Sequence, residues 1–198
     1  MTTVAVVGAG LSGLITARGL SRDHDVTVFE KSRSVGGRIA TRYIGGCEFD
    51  HGAQFFIARS AAFQAFLQPL IEQEIVANWP ARFAEFERSK VVATRQWNDE
   101  NRHYVGMPRM NAIGKWLATE LDVRLLRTVA GLERRNNRWL LLDPEGGTLG
   151  EFEWVIVTAP APQTNTLLNA SVRIRQHSAA ARMRGCIALM LTFKLKGT

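Results

Sequence analysis

The chain has 198 residues, and its content of 46% hydrophobic and 22% charged residues excludes a disordered, collagen-like or coiled-coil protein. No run of about 18 apolar residues occurs and no basic segment precedes the first apolar run, so we expect neither a transmembrane helix nor a cleaved signal peptide. The net charge of +7 is spread from Arg18 to Arg184, which favours a solvated surface over a nucleic-acid-binding face.

The two cysteines, Cys47 and Cys186, lie far apart and belong to no CxxC pair. This pattern predicts reduced thiols, with no disulfide framework and no metal site. Together with the charge and hydropathy, it leads us to expect a cytoplasmic protein that acts on a small molecule. We expect it to bind neither nucleic acid nor a membrane.

The first thirty residues follow the order strand, glycine-rich loop, helix, strand, acid. TVAVV at 3–7 is apolar on both faces, as a central parallel strand must be. GAGLSG follows at 8–13, then apolar residues at helical spacing through 14–22, then a second strand at 26–29 that leads to Glu30. A lone GxGxxG is a weak signal, but in this order it predicts a dinucleotide-binding unit.

Each glycine of the loop has its own expected role. Gly8 permits the tight turn, Gly10 lets backbone approach a pyrophosphate, and Gly13 lets the helix pack on the strand. The helix start then faces the phosphates, and the Glu30 carboxylate can accept hydrogen bonds from both ribose hydroxyls. Because Glu30 repels a 2′-phosphate, we expect FAD or NAD rather than NADP. The predicted cofactor contacts of this unit are Gly8, Gly10, Leu11, Ser12, Gly13, Glu30 and Lys31.

A second motif follows at 33–41, where RSVGGRIAT fits RxxGGRxxT. It resembles the second flavin motif of the superfamily that contains monoamine oxidases, carotenoid desaturases and renalases. The resemblance implies FAD, with the Gly37 turn beside the cofactor and the Arg38 guanidinium against its pyrophosphate. The alternative is a glycine hairpin with a surface arginine.

The stretch FDHGAQFF then fits D-x-G-A-Q-aromatic, which runs under the isoalloxazine ring in the same superfamily. The resemblance implies that Ala53 brings backbone close to the flavin and that Gln54 bonds the polar edge of the ring. Phe55 or Phe56 would wall the pocket, and the other would be a core residue. We expect His51 to be a hydrogen-bonded structural residue rather than a catalytic base.

The middle of the chain predicts a helix and a hairpin. Residues 60–76 carry one apolar helical stripe, which predicts a helix, and Pro69 within it predicts a kink. Residues 82–97 alternate around a polar turn at 88–90, and we expect them to begin a second, substrate-facing sheet. Aromatic residues that could line its flavin-facing surface, with plain sheet core as the alternative, are Trp79, Phe83, Phe86 and Trp97.

Further along, the stretch YVGMPRMNAI leads into a helix and, with GGRI and GAQFF, resembles bacterial renalase-like proteins. Strands are predicted at 123–127 and 154–158. A hairpin is predicted at 129–142, with its turn at Asn136 and Asn137. By the resemblance, Val129 packs on or bonds the adenine end of the cofactor.

The resemblance implies an α/β fold with a Rossmann-like FAD-binding domain at 1–57 and 105–162. An antiparallel-sheet substrate domain, at 58–104 and 163–198, is interleaved with it and incomplete at the C-terminus. The superfamily's closing Gly-Asp element and flavin-facing helix have no counterpart in this sequence. We therefore expect residues 186–195 to form an edge strand that has no partner on one side, with Cys186 in the core. We also expect residues 1–198 alone to be poorly soluble and to hold FAD weakly.

The function implied by the resemblance is FAD-dependent oxidation of a small molecule. The expected reaction is hydride transfer from a dihydronicotinamide isomer of NAD(P)H to flavin N5, with reoxidation by oxygen to give hydrogen peroxide. FAD is expected to be non-covalent, and no catalytic residue is assigned, since such a transfer needs positioning more than an acid or base. Two alternatives stay open: an amine oxidase or desaturase of the superfamily, and a non-catalytic relative that binds proteins, similar to Rab GDP-dissociation inhibitors.

Overall fold

A parallel four-stranded sheet lies at the centre of the fold. The computed structural model describes residues 1–96, 102–168 and 174–193. The sheet consists of β1 (Thr3–Val7), β2 (Asp25–Glu30), β10 (Asp122–Leu125) and β14 (Trp154–Val157), in the spatial order β10-β2-β1-β14. All three pairings are parallel, so the carboxyl ends of the strands share one edge. The glycine-rich loop after β1 begins at that edge.

Two apolar layers cover this sheet, one on each face, because successive side chains of β1 point to opposite sides. Val4 and Val6 belong to a core shared with three helices, and Ala5 and Val7 to a core shared with an antiparallel sheet. The helices are α1 (Leu11–Leu20), α2 (Ala61–Glu72) and α3 (Asn111–Ala118), and the antiparallel strands are β11 (Gly131–Arg135), β12 (Arg138–Leu142) and β13 (Thr148–Phe152). Each fully buried Leu or Phe here contributes about 1.5–3 kcal/mol.

The remaining elements are short. They are β3 (Thr41–Ile44), β4 (Cys47–Asp50), β5 (Phe56–Ile57), β6 (Val76–Asn78), β7 (Arg82–Glu87), β8 (Lys90–Gln96), β9 (His103–Gly106), α4 (Ala161–Leu167) and α5 (Ile174–Ala180). The strands form the hairpins β3–β4 and β7–β8 and the sheet β5-β9-β6. This last sheet joins residues from both sides of the expected domain boundaries, and the division into two domains stays a prediction. No helix among the described residues is long and apolar enough to cross a membrane.

The α/β fold class with a parallel sheet is confirmed, and several elements lie where the sequence places them. β1 has the predicted bounds. The hairpin of β11 and β12 turns at Asn136 and Asn137, whose φ angles are 44° and 65°. Asparagine tolerates this left-handed backbone, which a tight hairpin turn requires. β7 and β8 form the predicted hairpin, while Trp97 lies outside the described residues.

Helix α2 ends earlier than its apolar stripe indicates. Ser60 caps its start by accepting a hydrogen bond from the Phe63 N–H at 3.2 Å. The prediction of a helix up to residue 76 is wrong at its end, because the helix stops at Glu72 and Val76 begins β6. Glu74 has a φ of 56°, a left-handed backbone that a helix does not continue through. The apolar stripe is therefore one core surface that two elements build.

The segment at 186–193 is also different from its prediction. The sequence favours a strand there, but the described part of the segment forms none, and Cys186 is exposed rather than buried in the core. Ile187, Leu189 and Phe193 are 98%, 80% and 84% exposed. High strand propensity forms a strand only when a neighbouring strand pairs with it, and none of the described residues does so. Residues 194 and 195 of the prediction lie outside the described residues.

Candidate dinucleotide-binding site

The loop that joins β1 to α1 offers backbone N–H groups at the carboxyl edge of the sheet. Gly8 turns the chain with a φ of 108°, and its N–H donates to the Phe29 carbonyl at 2.8 Å. Gly10 is the N-cap of α1, in extended backbone, and no side chain within 1–96, 102–168 or 174–193 caps this helix end. Leu11 and Ser12 follow and are exposed. The helix start is therefore open to an anion.

The three loop glycines differ in how close their neighbouring atoms lie. A Cβ on Gly13 would lie 1.9 Å from the Gly8 carbonyl oxygen, and a Cβ on Gly8 would lie 2.9 Å from Thr158 Oγ1. Protein atoms therefore close both of these positions. A Cβ on Gly10 would meet nothing nearer than the Gly37 Cα at 4.0 Å. This bare backbone surface is what the close approach of a pyrophosphate needs, so the residues present fit a dinucleotide.

Thr158, which follows β14, bonds to the start of the glycine-rich loop. Its hydroxyl lies 3.0 Å from the Val7 carbonyl oxygen and 3.1 Å from that of Gly8, and its N–H donates to the Val7 carbonyl at 2.9 Å. The sequence predicts Thr158 only as the end of a strand. Nothing local marks it as part of the loop, because its partners lie 150 residues away.

Glu30 lies at the end of β2 with its carboxylate held beside the loop. The residue is 8% exposed, its Oε2 accepts the Ala9 N–H at 2.8 Å, and its Oε1 accepts the Ser32 N–H at 2.8 Å. Each carboxylate oxygen can accept a second hydrogen bond, so contact with ribose hydroxyls stays a prediction that this geometry allows. The neighbouring Lys31 is exposed, and its Nζ donates to Gln163 Oε1 at 3.3 Å.

The GGR turn lies directly against the glycine-rich loop. Gly10 and Gly36 form an isolated parallel bridge, and the Gly36 N–H donates to the Ala9 carbonyl at 2.8 Å. Gly37 has a φ of 56°, and a Cβ there would lie 3.1 Å from the Gly10 Cα. Arg38 follows and is exposed, and its guanidinium forms no hydrogen bond or ion pair with the described residues. The structure therefore brings both motifs, with a free cation, to one edge of the sheet.

The segment 52–55 adjoins the GGR turn. The Ala53 N–H donates to the Arg38 carbonyl at 2.9 Å, which joins this segment to the GGR turn. Gln54 is exposed, and Phe55 is 37% exposed with its ring centroid 6.1 Å from that of Trp79 and 5.0 Å from that of His103.

Phe56 is the more buried of the two neighbouring phenylalanines. It is half-buried, with its ring 5.9 Å from that of Phe63 and 5.8 Å from that of Tyr104. Phe83 and Phe86 lie on β7, all of whose residues are exposed. A role for these two residues in lining a flavin-facing surface stays a prediction.

An open cavity of about 460 Å³ lies beside Gln54. Its lining includes the polar residues Glu48, Asp50 and His51 and the apolar residues Trp79 and Met107. The expectation that His51 is hydrogen-bonded is wrong for its Nδ1, which is buried and has no partner among the described residues. The burial of that nitrogen follows from the fold around it, which the local motif does not indicate.

Val129 is a core residue that follows a stretch of chain bonded to the end of β2. It is 7% exposed and belongs to the core shared with Phe29 and Leu141. The Arg127 N–H donates to the Glu30 carbonyl at 3.0 Å, which brings this stretch of chain to the end of β2. Contact of Val129 with adenine stays a prediction.

A polar cluster that the sequence analysis missed joins the β3–β4 hairpin to the start of α3. Arg109 donates to the Glu48 carboxylate and, at 3.2 Å, to the Tyr43 hydroxyl. The hydrogen bond with Glu48 is the largest cause that raises the pKa of Arg109. Asp50 Oδ2 accepts the Met110 N–H at 3.1 Å. These contacts join residues about sixty positions apart, for which the sequence carries no local signal.

Comparison with known families agrees with this geometry. The profile described as NAD(P)-binding Rossmann-like domain matches residues 6–70. The chain carries such a domain. A crystal structure from Exiguobacterium sp. 255-15, named "Putative protoporphyrinogen oxidase", superposes with a TM-score of 0.63 over 85% of this chain and 61% of that one. Its sequence is 13% identical, so this similarity concerns the fold.

The chain is similar to several curated proteins over short segments. Polyamine oxidase 4 of Oryza sativa subsp. japonica is 46% identical over 54 residues, which are 27% of this chain and 11% of that protein. The probable polyamine oxidase 4 of Arabidopsis thaliana is 48% identical over 54 residues, with the same coverage. A 4,4'-diapophytoene desaturase of Staphylococcus aureus (strain Newman) is 48% identical over 50 residues, 25% of this chain and 10% of that protein. The match thus spans about a tenth of the length of these relatives.

We expect Glu30→Gln to weaken FAD binding by about 1.5–3 kcal/mol, because the substitution removes a hydrogen bond to a charged group. A carboxamide keeps one acceptor oxygen, so either the Ala9 or the Ser32 N–H would face an NH₂ group. FAD titration followed by flavin fluorescence measures the effect, with Glu87→Gln at the exposed end of β7 as the matched control. An unchanged dissociation constant in Glu30→Gln would show that Glu30 does not touch the cofactor.

Proposed function

We propose that this protein is an FAD-dependent oxidoreductase that oxidises a small molecule. The observation that carries the proposal is the bridge between Gly10 and Gly36, which joins the GxGxxG loop and the GGR turn into one site. A dinucleotide-binding loop alone accounts for a nicotinamide cofactor equally well. The exposed Arg38 and the bare Gly10 backbone support a flavin site instead, because RSVGGRIAT at 33–41 resembles a flavin motif.

The residues of the site have distinct roles in this proposal. The N–H groups at Leu11 and Ser12 bind the phosphates, and Arg38 neutralises the pyrophosphate. Glu30 accepts hydrogen bonds from ribose hydroxyls, and Val129 contacts the adenine. Ala53 and Gln54 approach the ring system, and Phe55, whose ring lies near that of Trp79, supplies an apolar wall. FAD, when bound, supplies a hydride acceptor that oxygen can reoxidise with formation of hydrogen peroxide.

For the substrate, we propose a dihydronicotinamide isomer of NAD(P)H, on the similarity of YVGMPRMNAI, GGRI and GAQFF to renalase-like proteins. A second candidate, an amine or a desaturase substrate, is favoured by the names of the matched polyamine oxidases and desaturase. A cytoplasmic location is proposed on the free cysteines Cys47 and Cys186.

An absorption spectrum of the purified full-length protein tests the cofactor. We expect flavin bands, and we expect acid precipitation to leave the flavin in the supernatant. Flavin in the pellet would contradict non-covalent binding, and a colourless protein that takes up no added FAD would contradict the cofactor.

Anaerobic mixing tests the substrate class. Dihydronicotinamide isomers should bleach the flavin band within seconds, and air should then restore it with release of hydrogen peroxide. Bleaching by polyamines alone would instead support the second candidate.

A further inference from the structure

We propose that Asp50 is a positioning residue that sets the place of residues 52–54 at the cofactor site by fixing them to the start of α3. This inference rests on the proposed function. Asp50 ends β4, two residues before Gly52, and its side chain reaches an element sixty residues further along the chain.

Both carboxylate oxygens of Asp50 accept hydrogen bonds. Oδ1 accepts the Thr41 hydroxyl at 2.6 Å, and Oδ2 accepts the Met110 N–H at 3.1 Å. Met110 is 1% exposed and is the N-cap of α3, so the carboxylate bonds to a buried, fixed helix start. The N–H groups there have no partner inside the helix and favour a negative charge. Asp50 supplies that charge from a different part of the chain.

The segment after Asp50 has a second fixed point. The Ala53 N–H donates to the Arg38 carbonyl at 2.9 Å, and a Cβ on Gly52 would lie only 2.0 Å from that same oxygen. Helix α3 in turn packs on the GGR turn, because a Cβ on Gly114 would lie 3.0 Å from the Gly36 Cα. The GGR turn, the segment from Asp50 to Ala53 and α3 thus form a closed ring of contacts. Loss of the Asp50 bonds opens this ring beside Gln54.

The docking of the hairpin itself does not depend on Asp50 alone. Tyr43 on β3 accepts hydrogen bonds from Arg109 at 3.2 Å and from Asn111 at 3.5 Å, and Arg109 also bonds Glu48. Tyr43 is 55% exposed and lies away from residues 52–54 in the chain. Tyr43→Phe is therefore a matched control that removes contacts between the same two elements and leaves Asp50 in place.

Hydrogen exchange of the apo-protein and FAD titration of the same samples test the proposal. Asp50→Leu removes both acceptors, and we expect about tenfold faster exchange in the peptide that covers 49–56 and about tenfold weaker FAD binding. Exchange in β1 and α1 should stay as in the wild type, which a merely structural role would not produce. Asp50→Asn should rescue both values, because its amide oxygen can accept the Met110 N–H while its NH₂ donates to Thr41. Tyr43→Phe should change neither.

Wild-type exchange at 49–56 in Asp50→Leu would overturn the proposal, as would a loss in Asp50→Asn equal to that in Asp50→Leu. If Asp50→Leu does not fold, Thr41→Val releases one carboxylate oxygen and should raise the same exchange severalfold; no change there overturns the proposal. A wild-type protein that binds no FAD refutes the proposed function and the cofactor part of this inference. Exchange at 49–56 still decides separately whether Asp50 holds the segment.

Discussion

Gly13→Ala is expected to destabilise the protein by at least about 3 kcal/mol, at or beyond the upper end of the cost of overpacking. The new Cβ would lie 1.9 Å from the Gly8 carbonyl oxygen and close to Thr158, and both are held by the sheet. This clash is relieved only if α1 moves away from β1. That movement opens the core around Leu14 and Ala17, both 0% exposed. Soluble yield and the midpoint of urea unfolding measure the loss.

Gly19→Ala is the matched control on the same helix. A Cβ on Gly19 meets nothing within 4 Å, and alanine is favoured over glycine in a helix by about 1 kcal/mol. This variant should be as stable as the wild type or more so. Equal stability of Gly13→Ala and Gly19→Ala would show that the helix does not pack against the Gly8 backbone as described.

Gly10→Ala is expected to separate cofactor binding from folding. The extended backbone at Gly10, with φ −75° and ψ 178°, suits any residue, and the nearest atom to a new Cβ is 4.0 Å away. The apo-protein should therefore unfold at the wild-type midpoint. The methyl group would occupy the surface where a pyrophosphate approaches, so FAD affinity should fall by about tenfold to a hundredfold, the cost of about one to two charge-assisted hydrogen bonds.

Calorimetric titration with FAD and thermal unfolding of the apo-protein, in the same buffer, measure the two quantities for Gly10→Ala. Gly19→Ala again serves as the control, with wild-type affinity. Wild-type FAD affinity in Gly10→Ala would mean that the cofactor does not lie on this loop. A lower unfolding midpoint would mean that the space beside Gly10 is already filled by protein.

The structure agrees with the sequence-based predictions where the determinants of structure are local. A short continuous apolar run identifies β1, a period-3.6 apolar pattern identifies α1, and paired asparagines identify the turn between β11 and β12. The site motifs also lie close together in sequence, from Gly8 to Gly37, so their meeting at one sheet edge follows from the parallel order of the strands.

The predictions fail where contacts with distant residues decide the outcome. Val76 continues an apolar helical stripe but pairs with β9, thirty residues away, and so belongs to a strand. Residues 186–193 have the composition of a strand without a strand beside them among the described residues. The bonds of Asp50 to Met110 and of Thr158 to Gly8 join segments that no spacing rule connects. The Nδ1 atom of His51 is buried without a hydrogen-bond partner among the described residues, and the sequence alone does not indicate this.

The pairing of β1 with β14 has a consequence during protein synthesis. The first strand to leave the ribosome borders one of the last in the described fold, and Thr158 reaches Gly8 across 150 residues of chain. At elongation rates of about 5–20 residues per second, the nascent loop waits roughly 8–30 s for this partner. During that interval one side of β1 exposes unpaired backbone to chaperones and to other nascent chains. The glycine-rich loop is therefore complete as a binding surface only after residue 158 has been synthesised and has reached Gly8.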